Sequence, residues 1–439
     1  MERASADGEV VLASEAPRRL QSNAGGLWSL LGAGLITGAS DDDPSGIGTY
    51  AQAGATYGYQ LGWTLLFSYP LMVAIQGVCA RIGRTTGRGI AGNLRQHYPG
   101  WVLQGTVALL FIANTLNLGA DLGAMAEATR LLLPATPGWV WIVFFGAVCT
   151  AAQLFLDHRR YVGVLKWLTF VLFSYFAALL AIHVPWGSVL QGLLVPRVSA
   201  KSAFWMMVVA ILGTTISPYL FFWQSAQEVE DTKAHPERVP LRRNPRQGSS
   251  ALRRIRIDTL VGMAISNLVA LAILVTTAAT LHAAGIHEVT TAAQAAEALR
   301  PMAGDFAFAV FALGIIGTGL LAVPVLAGSA AYALGEARGW PVGFARKPLQ
   351  ARAFYGTIAA ATLLGALGNV ARVNPVAALV WSAVINGVVA VPLMVLLMLM
   401  GANRKIMGIF TISGWWTRLG WAATVVMAAA AGGMLYSSL

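Results

Sequence analysis

Charge is scarce in this chain of 439 residues. Asp, Glu, Lys and Arg together make up 11% of it, whereas an average soluble domain has about 25%. Hydrophobic residues make up 56%. This composition excludes an ordinary soluble protein, which needs a charged surface, and it indicates a protein with many membrane-spanning helices.

Cysteine and histidine are also rare, and enzyme motifs are missing. Cys79 and Cys149 both lie in apolar runs and outside any Cys-x-x-Cys motif, so they predict two buried thiols. The six histidines fall in loops or at the ends of apolar runs, and none forms a pair at helical spacing. No zinc site is therefore predicted. Because the sequence also has no nucleophile elbow, phosphate-binding loop or His-Glu-x-x-His motif, we expect neither enzymatic activity nor a cofactor.

Long apolar runs recur along the whole chain. In hydrocarbon the backbone must satisfy its own hydrogen bonds, so runs of this length predict transmembrane helices and an all-α membrane protein. Eleven are predicted, at about residues 27–55, 60–80, 102–129, 138–156, 161–184, 203–227, 257–281, 304–335, 353–370, 375–399 and 414–436.

The basic residues support this number of spans. If the N-terminus is cytosolic and the spans alternate, 25 of the 30 Lys and Arg residues fall on the cytosolic side. Such a bias is typical of a multi-pass plasma (inner) membrane protein, here with its C-terminus outside. The net charge of +11 is then a signal of topology in a lipid bilayer, and no nucleic-acid partner is predicted.

The order of the spans suggests an internal duplication. Residues 1–26 are predicted to be a cytosolic tail and residues 27–399 a transporter core, followed at 400–439 by an inner loop and the eleventh helix. The core would consist of two five-span repeats, at 27–184 and 203–399, with a polar cytosolic connector at 229–256 between spans six and seven.

Spans one and six contain proline near their middle. Span one reads Asp43-Pro44-Ser45-Gly46 and span six reads Thr214-Thr215-Ile216-Ser217-Pro218-Tyr219. Proline removes a backbone donor and clashes with the preceding turn. Both spans are therefore predicted to be broken helices, whose freed carbonyls and half-helix dipoles can face an ion near the membrane midplane.

Three consecutive carboxylates, at Asp41, Asp42 and Asp43, precede the first of these prolines. A structural interpretation is that Asp43 caps a helix with proline at its first position. Intramembrane carboxylates are costly, however, and usually line a site or a pathway. Both roles are compatible, because the capped helix can be the second half of span one.

A few other polar residues lie in apolar sequence. Asp121 on span three has no local partner, and Glu127 is expected to pair with Arg130. Four amides are expected to be either interhelical hydrogen-bonding groups or site ligands, namely Asn114, Asn117, Asn267 and Asn386.

Three stretches carry a family resemblance, namely residues 32–99, GTTISPYLFFWQSA in span six and NRKIMG at 403–408. In these stretches the sequence resembles the natural resistance-associated macrophage protein (Nramp) family of divalent-metal transporters. The resemblance implies a LeuT-like fold of two inverted five-helix repeats, with the metal bound between the broken first and sixth helices.

The departures from that family concern the expected ligands. The family's Asp-Pro-Gly-Asn is Asp43-Pro44-Ser45-Gly46 here, so the aspartate is kept and the asparagine becomes Gly46. Its Met-Pro-His is Ser217-Pro218-Tyr219, so the thioether is lost. Three further family positions, a second histidine, a glutamate and a glutamine, are Gln224, Ala124 and Ala383, whereas Asp121 is retained.

These replacements favour a hard cation. The remaining donors are oxygens, and smaller residues at Gly46 and Ser217 are expected to widen the cavity. The sequence therefore resembles the divergent Nramp-related magnesium transporter branch, with Mg²⁺ as the expected substrate and Mn²⁺ next. Since the family's glutamate and both of its histidines are replaced, uptake is expected to be uncoupled or weakly coupled.

The expected site centres on Asp43, with the carbonyls of Ser40 and Thr214, the hydroxyl of Ser217 and the Gly46 position around it. Asp41 and Asp42 are expected to attract the ion or support its ligands. The ion pathway is expected to include Asp121, Tyr219, Gln224 and Asn386.

Three alternatives to a magnesium transporter remain open. They are a proton-coupled Mn²⁺/Fe²⁺ transporter of the main Nramp type, a Na⁺-coupled symporter of organic solutes, and a membrane sensor.

Overall fold

The computed structural model describes residues 33–155, 176, 177, 179, 180, 182–298, 300, 304, 307–369 and 374–438, and the regular structure within these ranges is helical. The α-helices are α1 (Ala33–Asp41), α2 (Pro44–Tyr57), α3 (Gly62–Thr86), α4 (Ile90–His97), α5 (Gly100–Leu132), α6 (Gly138–Phe155), α7 (Trp186–Leu194), α8 (Ser202–Thr215), α9 (Pro218–Ala234), α10 (Gly248–Thr277), α11 (Ala292–Glu297), α12 (Ala307–Arg338), α13 (Arg352–Gly368), α14 (Pro375–Ala402), α15 (Arg404–Met407) and α16 (Trp415–Ser438).

Eight helical segments in the described ranges are long and apolar enough to cross a membrane, judged by length and composition. They correspond to predicted spans two, three, four, six, seven, eight, ten and eleven. Span one is divided between α1 and α2, and span nine is the 17-residue helix α13. The predicted tail and most of span five lie outside the described residues. The all-helical architecture is confirmed, and the count of eleven stays a prediction.

The predicted break in span one is present. Helix α1 ends at Asp41 and α2 begins at Pro44. Asp43 between them has an extended backbone (φ −71°, ψ 170°), and its side chain caps α2 by accepting a hydrogen bond from the backbone N–H of Gly46. Both predicted roles of proline are therefore seen at Pro44, which ends one half-helix and begins the next.

The break in span six has a different local structure. Helix α8 ends at Thr215 and α9 begins at Pro218. Ser217 occupies the capping position of α9, but its hydroxyl turns back towards α8 and lies 2.7 Å from the carbonyl oxygen of Gly213 and 2.8 Å from that of Thr214. Ser217 thus satisfies carbonyls that the end of α8 leaves without intrahelical partners.

The first half of each broken span, α1 and α8, is held by a close backbone contact. Helix α1 packs on α10, where a Cβ atom built on Gly38 would lie 2.2 Å from the carbonyl oxygen of Gly262. Helix α8 packs on α14, where a Cβ on Gly213 would lie 2.1 Å from the carbonyl oxygen of Ala383. Only glycine permits these approaches, which are typical of packing between membrane helices.

Candidate metal site

The two breaks meet in the interior of the bundle. Tyr219 on α9 donates a hydrogen bond to the carbonyl oxygen of Ser40 (2.7 Å), and the same hydroxyl lies 3.3 Å from Oδ2 of Asp43. A Cβ on Gly46 would lie 2.9 Å from Oγ1 of Thr214. All five residues are buried. The breaks therefore bring Ser40, Asp43 and Gly46 of span one close to Thr214 and Tyr219 of span six. The predicted ligand atoms of span six, the hydroxyl of Ser217 and the carbonyl oxygen of Thr214, bond to each other at 2.8 Å.

The carboxylate of Asp43 has a defined orientation. Oδ1 accepts from the backbone N–H of Gly46 at 2.6 Å, and Oδ2 accepts from the amide of Asn117 on α5 at 2.9 Å. A carboxylate offers about four acceptor positions. These bonds therefore position Asp43 and leave it able to accept a cation as well.

A polar network on the side of α5 and α14 supports Asp43. The hydroxyl of Ser45 lies 2.9 Å from Oδ1 of Asn117, 3.1 Å from Oδ1 of Asp121 and 3.0 Å from the hydroxyl of Ser382. The backbone N–H of Ser45 also donates to Asp121 (3.2 Å), and Asn386 donates to Asn117 (3.3 Å). Asp121 and Asn386 thus join the site indirectly, through Ser45 and Asn117.

Sequence reasoning missed two members of this network, Ser45 and Ser382, and it named Asn117 only as one of four amides in apolar sequence. The available signal was spacing. Asn117 precedes Asp121 by four residues and Ser382 precedes Asn386 by four, so each pair shares a helix face.

The other two aspartates differ from Asp43 in their hydrogen bonding. Oδ2 of Asp41 accepts from the hydroxyl of Ser266 on α10 at 2.7 Å, while Oδ1 has no hydrogen-bond partner in the described part of the chain. Neither oxygen of Asp42 has one there either. Both side chains are fully buried. Burying a carboxylate without a hydrogen-bond partner costs free energy. Of the three aspartates, Asp42 has the fewest hydrogen bonds in the described part of the chain.

Gln224 contacts the first half of span one. Its Oε1 accepts a hydrogen bond from the hydroxyl of Thr37 on α1, and its Nε2 has no partner among the described residues. Gln224 therefore connects α9 to α1, and its place in an ion pathway stays a prediction.

The expected widening of the cavity is wrong for this conformation. A Cβ on Gly46 would lie 2.9 Å from Oγ1 of Thr214, 3.2 Å from the carbonyl oxygen of Asp41 and 3.4 Å from Oδ1 of Asp43. The space that a larger side chain would take is occupied, because the two broken helices approach each other at this point.

The donors at the site are oxygens. In the described ranges, no three His, Cys, Asp or Glu side chains come together as a metal-ligand cluster. Around Asp43 the neighbours are instead backbone carbonyls, hydroxyls and the Asn117 amide. The arrangement is a carboxylate with neutral polar neighbours, and a second carboxylate, Asp121, shares Ser45 and Asn117 with it.

Comparison with known proteins identifies the family. The model of the natural resistance-associated macrophage protein-like (Nramp) family matches residues 34–437. Over 301 residues the chain is 29% identical to the divalent metal cation transporter MntH of Aeromonas hydrophila, which covers 66% of this chain and 69% of that relative.

Solved structures show the same fold. The manganese transporter of Eremococcus coleocola is similar with a TM-score of 0.74 and 17% identity, over 91% of this chain and 84% of that chain. Mhp1, a nucleobase-cation-symport-1 family transporter, is similar with a TM-score of 0.54 and 14% identity, over 93% of each chain. The predicted LeuT-like fold is thereby supported. Since the family model spans residues 34–437, the chain belongs to the Nramp family.

Proposed function

We propose that this chain transports a hard divalent cation across the membrane by alternating access, Mg²⁺ in the first place and Mn²⁺ in the second. The observation that carries the proposal is the site at the two helix breaks, where the Tyr219 hydroxyl contacts both the Ser40 carbonyl and the Asp43 carboxylate and where Thr214 lies against Gly46. Ser217 and Gly46 complete the site, and Asp41 and Asp42 add negative charge beside it. The substrate and the lipid bilayer are the proposed partners.

The preference for Mg²⁺ follows from the donor set. Thioether and imidazole ligands favour softer or borderline metals, whereas carboxylate, carbonyl and hydroxyl oxygens suit Mg²⁺ and Mn²⁺. Ser217 and Tyr219 stand where the family has methionine and histidine. Mg²⁺ gives up its waters reluctantly, so we propose that it binds Asp43 directly and several of the other oxygens through water.

A second candidate is proton-coupled Mn²⁺/Fe²⁺ transport of the main Nramp type. It is favoured by the names of the relatives, a divalent metal cation transporter and a manganese transporter, and by Asp121, which shares Ser45 with the site. Strong proton coupling is disfavoured because Ala124, Tyr219 and Gln224 stand at the positions of the family's other proton carriers. We propose uncoupled or weakly coupled uptake, with Asp121, Tyr219, Gln224 and Asn386 along the ion pathway.

The proposed arrangement in the membrane keeps the predicted topology. The chain would be a multi-pass inner-membrane protein with a cytosolic N-terminus, two five-span repeats at 27–184 and 203–399, a cytosolic connector at 229–256 and an additional last helix after residue 400. The eight segments long enough to span a membrane support this proposal.

Flux into proteoliposomes tests the function. We expect wild-type protein to carry Mg²⁺ and Mn²⁺, Asp43→Ala to abolish both fluxes, and Glu127→Gln to keep them. Glu127 is a suitable control because it is a partly exposed carboxylate of α5 that pairs with Arg130 at 2.9 Å. An Asp43→Ala variant with wild-type flux would disprove the site.

Two further measurements on the same proteoliposomes test the ion preference and the coupling. Preferential flux of Cd²⁺ in a competition series would disprove the preference for a hard ion. Acidification of the lumen driven by metal uptake would favour the second candidate.

A further inference from the structure

Two histidines lie together at the end of α10 that faces away from the connector. His282 closes the π-helical turn Ala278–His282 that follows α10, and His287 lies in the next loop. Their imidazole rings meet edge to face, with centroids 4.9 Å apart. His282 is half-buried and His287 is exposed. Neither residue contributes to the site around Asp43, and π-helical turns occur frequently at functional sites.

One backbone carbonyl orients both rings. Nδ1 of His282 lies 2.7 Å from the carbonyl oxygen of Ala55 on α2, and Nδ1 of His287 lies 3.4 Å from the same atom. Because a carbonyl can only accept, Nδ1 of each neutral ring carries the proton. The free lone pair is then on Nε2, and in the described part of the chain no hydrogen bond reaches either Nε2. A carbonyl bonded to the other ring nitrogen is a common support for metal-binding histidines.

The loop that carries His287 is fixed to α2 by further hydrogen bonds. The carbonyl oxygen of His287 accepts from the hydroxyl of Thr56 (2.8 Å) and from the amide of Gln52 (3.3 Å). The backbone N–H of Val289 donates to the same Gln52 side chain at 2.9 Å. His287 therefore needs little reorganisation before it can bind an ion, which reduces the cost of binding.

The other histidine is held by close packing between α2 and α10. A Cβ on Gly58 would lie 3.2 Å from Nε2 of His282, and a Cβ on Gly54 would lie 2.4 Å from the carbonyl oxygen of Leu274. The end of α2 therefore lies directly against the turn that carries His282. Both imidazoles are positioned by the same short segment of α2.

We propose that His282 and His287 bind a borderline transition-metal ion such as Zn²⁺, with Nε2 of each ring as a ligand and water completing the coordination. Imidazole suits Zn²⁺, Ni²⁺ and Cu²⁺, whereas Mg²⁺ prefers oxygen. The described ranges contain no third His, Cys, Asp or Glu side chain that joins the pair. With open positions and an exposed ligand, the site exchanges its ion with the solution.

The location gives this site a regulatory role. The ligands belong to the end of α10 and to its following loop, and both are attached to α2, the half-helix that begins next to Asp43. A bound ion joins the end of α10 to the loop that is hydrogen-bonded to Gln52 and Thr56, and so restrains movement of α2 relative to α10. Zn²⁺ at this site is therefore expected to slow a transport cycle that needs such movement.

Calorimetry of full-length protein in detergent tests the site. The Asp43→Ala background removes the proposed transport site, so ZnCl₂ alone is titrated into that protein. We expect one Zn²⁺ per chain, and at least about tenfold weaker binding after His282→Ala or His287→Gln. The controls His97→Ala and His235→Ala replace histidines of α4 and of the connector and are expected to leave binding unchanged. Unchanged Zn²⁺ binding in the double variant His282→Ala/His287→Gln overturns the proposal.

A second measurement avoids substitution of either histidine. Cu²⁺ bound to the Asp43→Ala protein is expected to show hyperfine coupling to two imidazole nitrogens in its electron paramagnetic resonance spectrum. A spectrum with one nitrogen or none overturns the proposal. Both measurements detect binding, so their outcome is independent of whether the chain transports Mg²⁺.

Discussion

The hydroxyl of Tyr219 lies 2.7 Å from the carbonyl oxygen of Ser40. It also lies 3.3 Å from Oδ2 of Asp43, so a single O–H group lies between two of the oxygens proposed to hold the cation. The hydroxyl hydrogen and a divalent cation are attracted to the same acceptors. Tyr219 is thus expected to stabilise the metal-free site and to compete with the metal.

Replacing this tyrosine tests that competition. A neutral buried hydrogen bond contributes about 0.5–1.5 kcal/mol net. We expect Tyr219→Phe to lower the melting temperature of the metal-free protein and to bind Mg²⁺ up to about tenfold more tightly. Thermal unfolding with and without Mg²⁺ measures both effects, since the shift caused by the ion grows with affinity.

Tyr355→Phe is the matched control for this substitution. The hydroxyl of Tyr355 donates to the carbonyl oxygen of Arg346 at 2.9 Å, in a contact between α13 and the preceding loop. Its removal should cost stability without changing the shift caused by Mg²⁺. Equal Mg²⁺ shifts in the two variants would show that Tyr219 does not compete with the ion.

Two asparagines three residues apart on α5 allow a role in metal binding to be distinguished from a role in packing. Asn117 donates to Asp43 at 2.9 Å, whereas Asn114 donates to the carbonyl oxygen of Leu326 (2.9 Å) and to Ser329 (2.6 Å). Both are fully buried. We expect either change to alanine to destabilise the protein by about 1–3 kcal/mol. Only Asn117→Ala should also raise KM for Mg²⁺ by about tenfold or more, measured as initial flux. A similar KM in the two variants contradicts a supporting role for Asn117.

Restoring the family's asparagine at Gly46 should impair the protein. The close contact with Thr214 leaves no room for a side chain, and overpacking of this kind costs about 1–3 kcal/mol. We expect Gly46→Asn to reduce flux and lower the melting temperature, with partial recovery in Gly46→Asn/Thr214→Ala. Gly105→Asn is the control, since a Cβ there would meet no atom within 4 Å. Wild-type flux in Gly46→Asn would mean that the breaks separate more easily than this structure indicates.

The start of α1 is attached to α10 by one hydrogen bond that can be removed. Oδ2 of Asp258 accepts from the backbone N–H of Gly34 at 2.7 Å. A hydrogen bond to a charged group contributes about 1.5–3 kcal/mol. We expect Asp258→Ala to accelerate amide hydrogen exchange across residues 33–41, measured by mass spectrometry. Asp231→Ala is the control, because Asp231 pairs with Arg238 and Arg254 instead. Unchanged exchange in Asp258→Ala would contradict this attachment.

The breaks and their central carboxylate could be predicted because their signals are local. Pro44 and Pro218 interrupt their helices wherever those helices pack, and an aspartate before proline is a helix cap in its own right. The pair of Glu127 and Arg130 is local in the same way, and its 2.9 Å contact confirms it. Both cysteines are buried, as expected.

The rest of the site depends on how helices rotate against each other, which spacing within one helix does not reveal. Ser45 meets Asp121 and Ser382 only because α2, α5 and α14 converge. The expectation at Gly46 failed for a related reason, since it treated a small residue as empty space and overlooked Thr214 on the opposite helix. His282 and His287, five residues apart, meet through a π-helical turn and a loop rather than along one helix face.

The contact between Gly213 and Ala383 also determines where the sixth span can bend. Main-chain atoms have no alternative rotamers, so side-chain rearrangement cannot relieve this contact, and we expect α8 and α14 to move together. Ile216 and Ser217 are the residues left between α8 and α9. Each residue has two soft torsions, and the proline ring fixes one torsion of the next residue. Any swing of α9 relative to the membrane therefore passes through a hinge of a few torsions, located where the cation is proposed to bind.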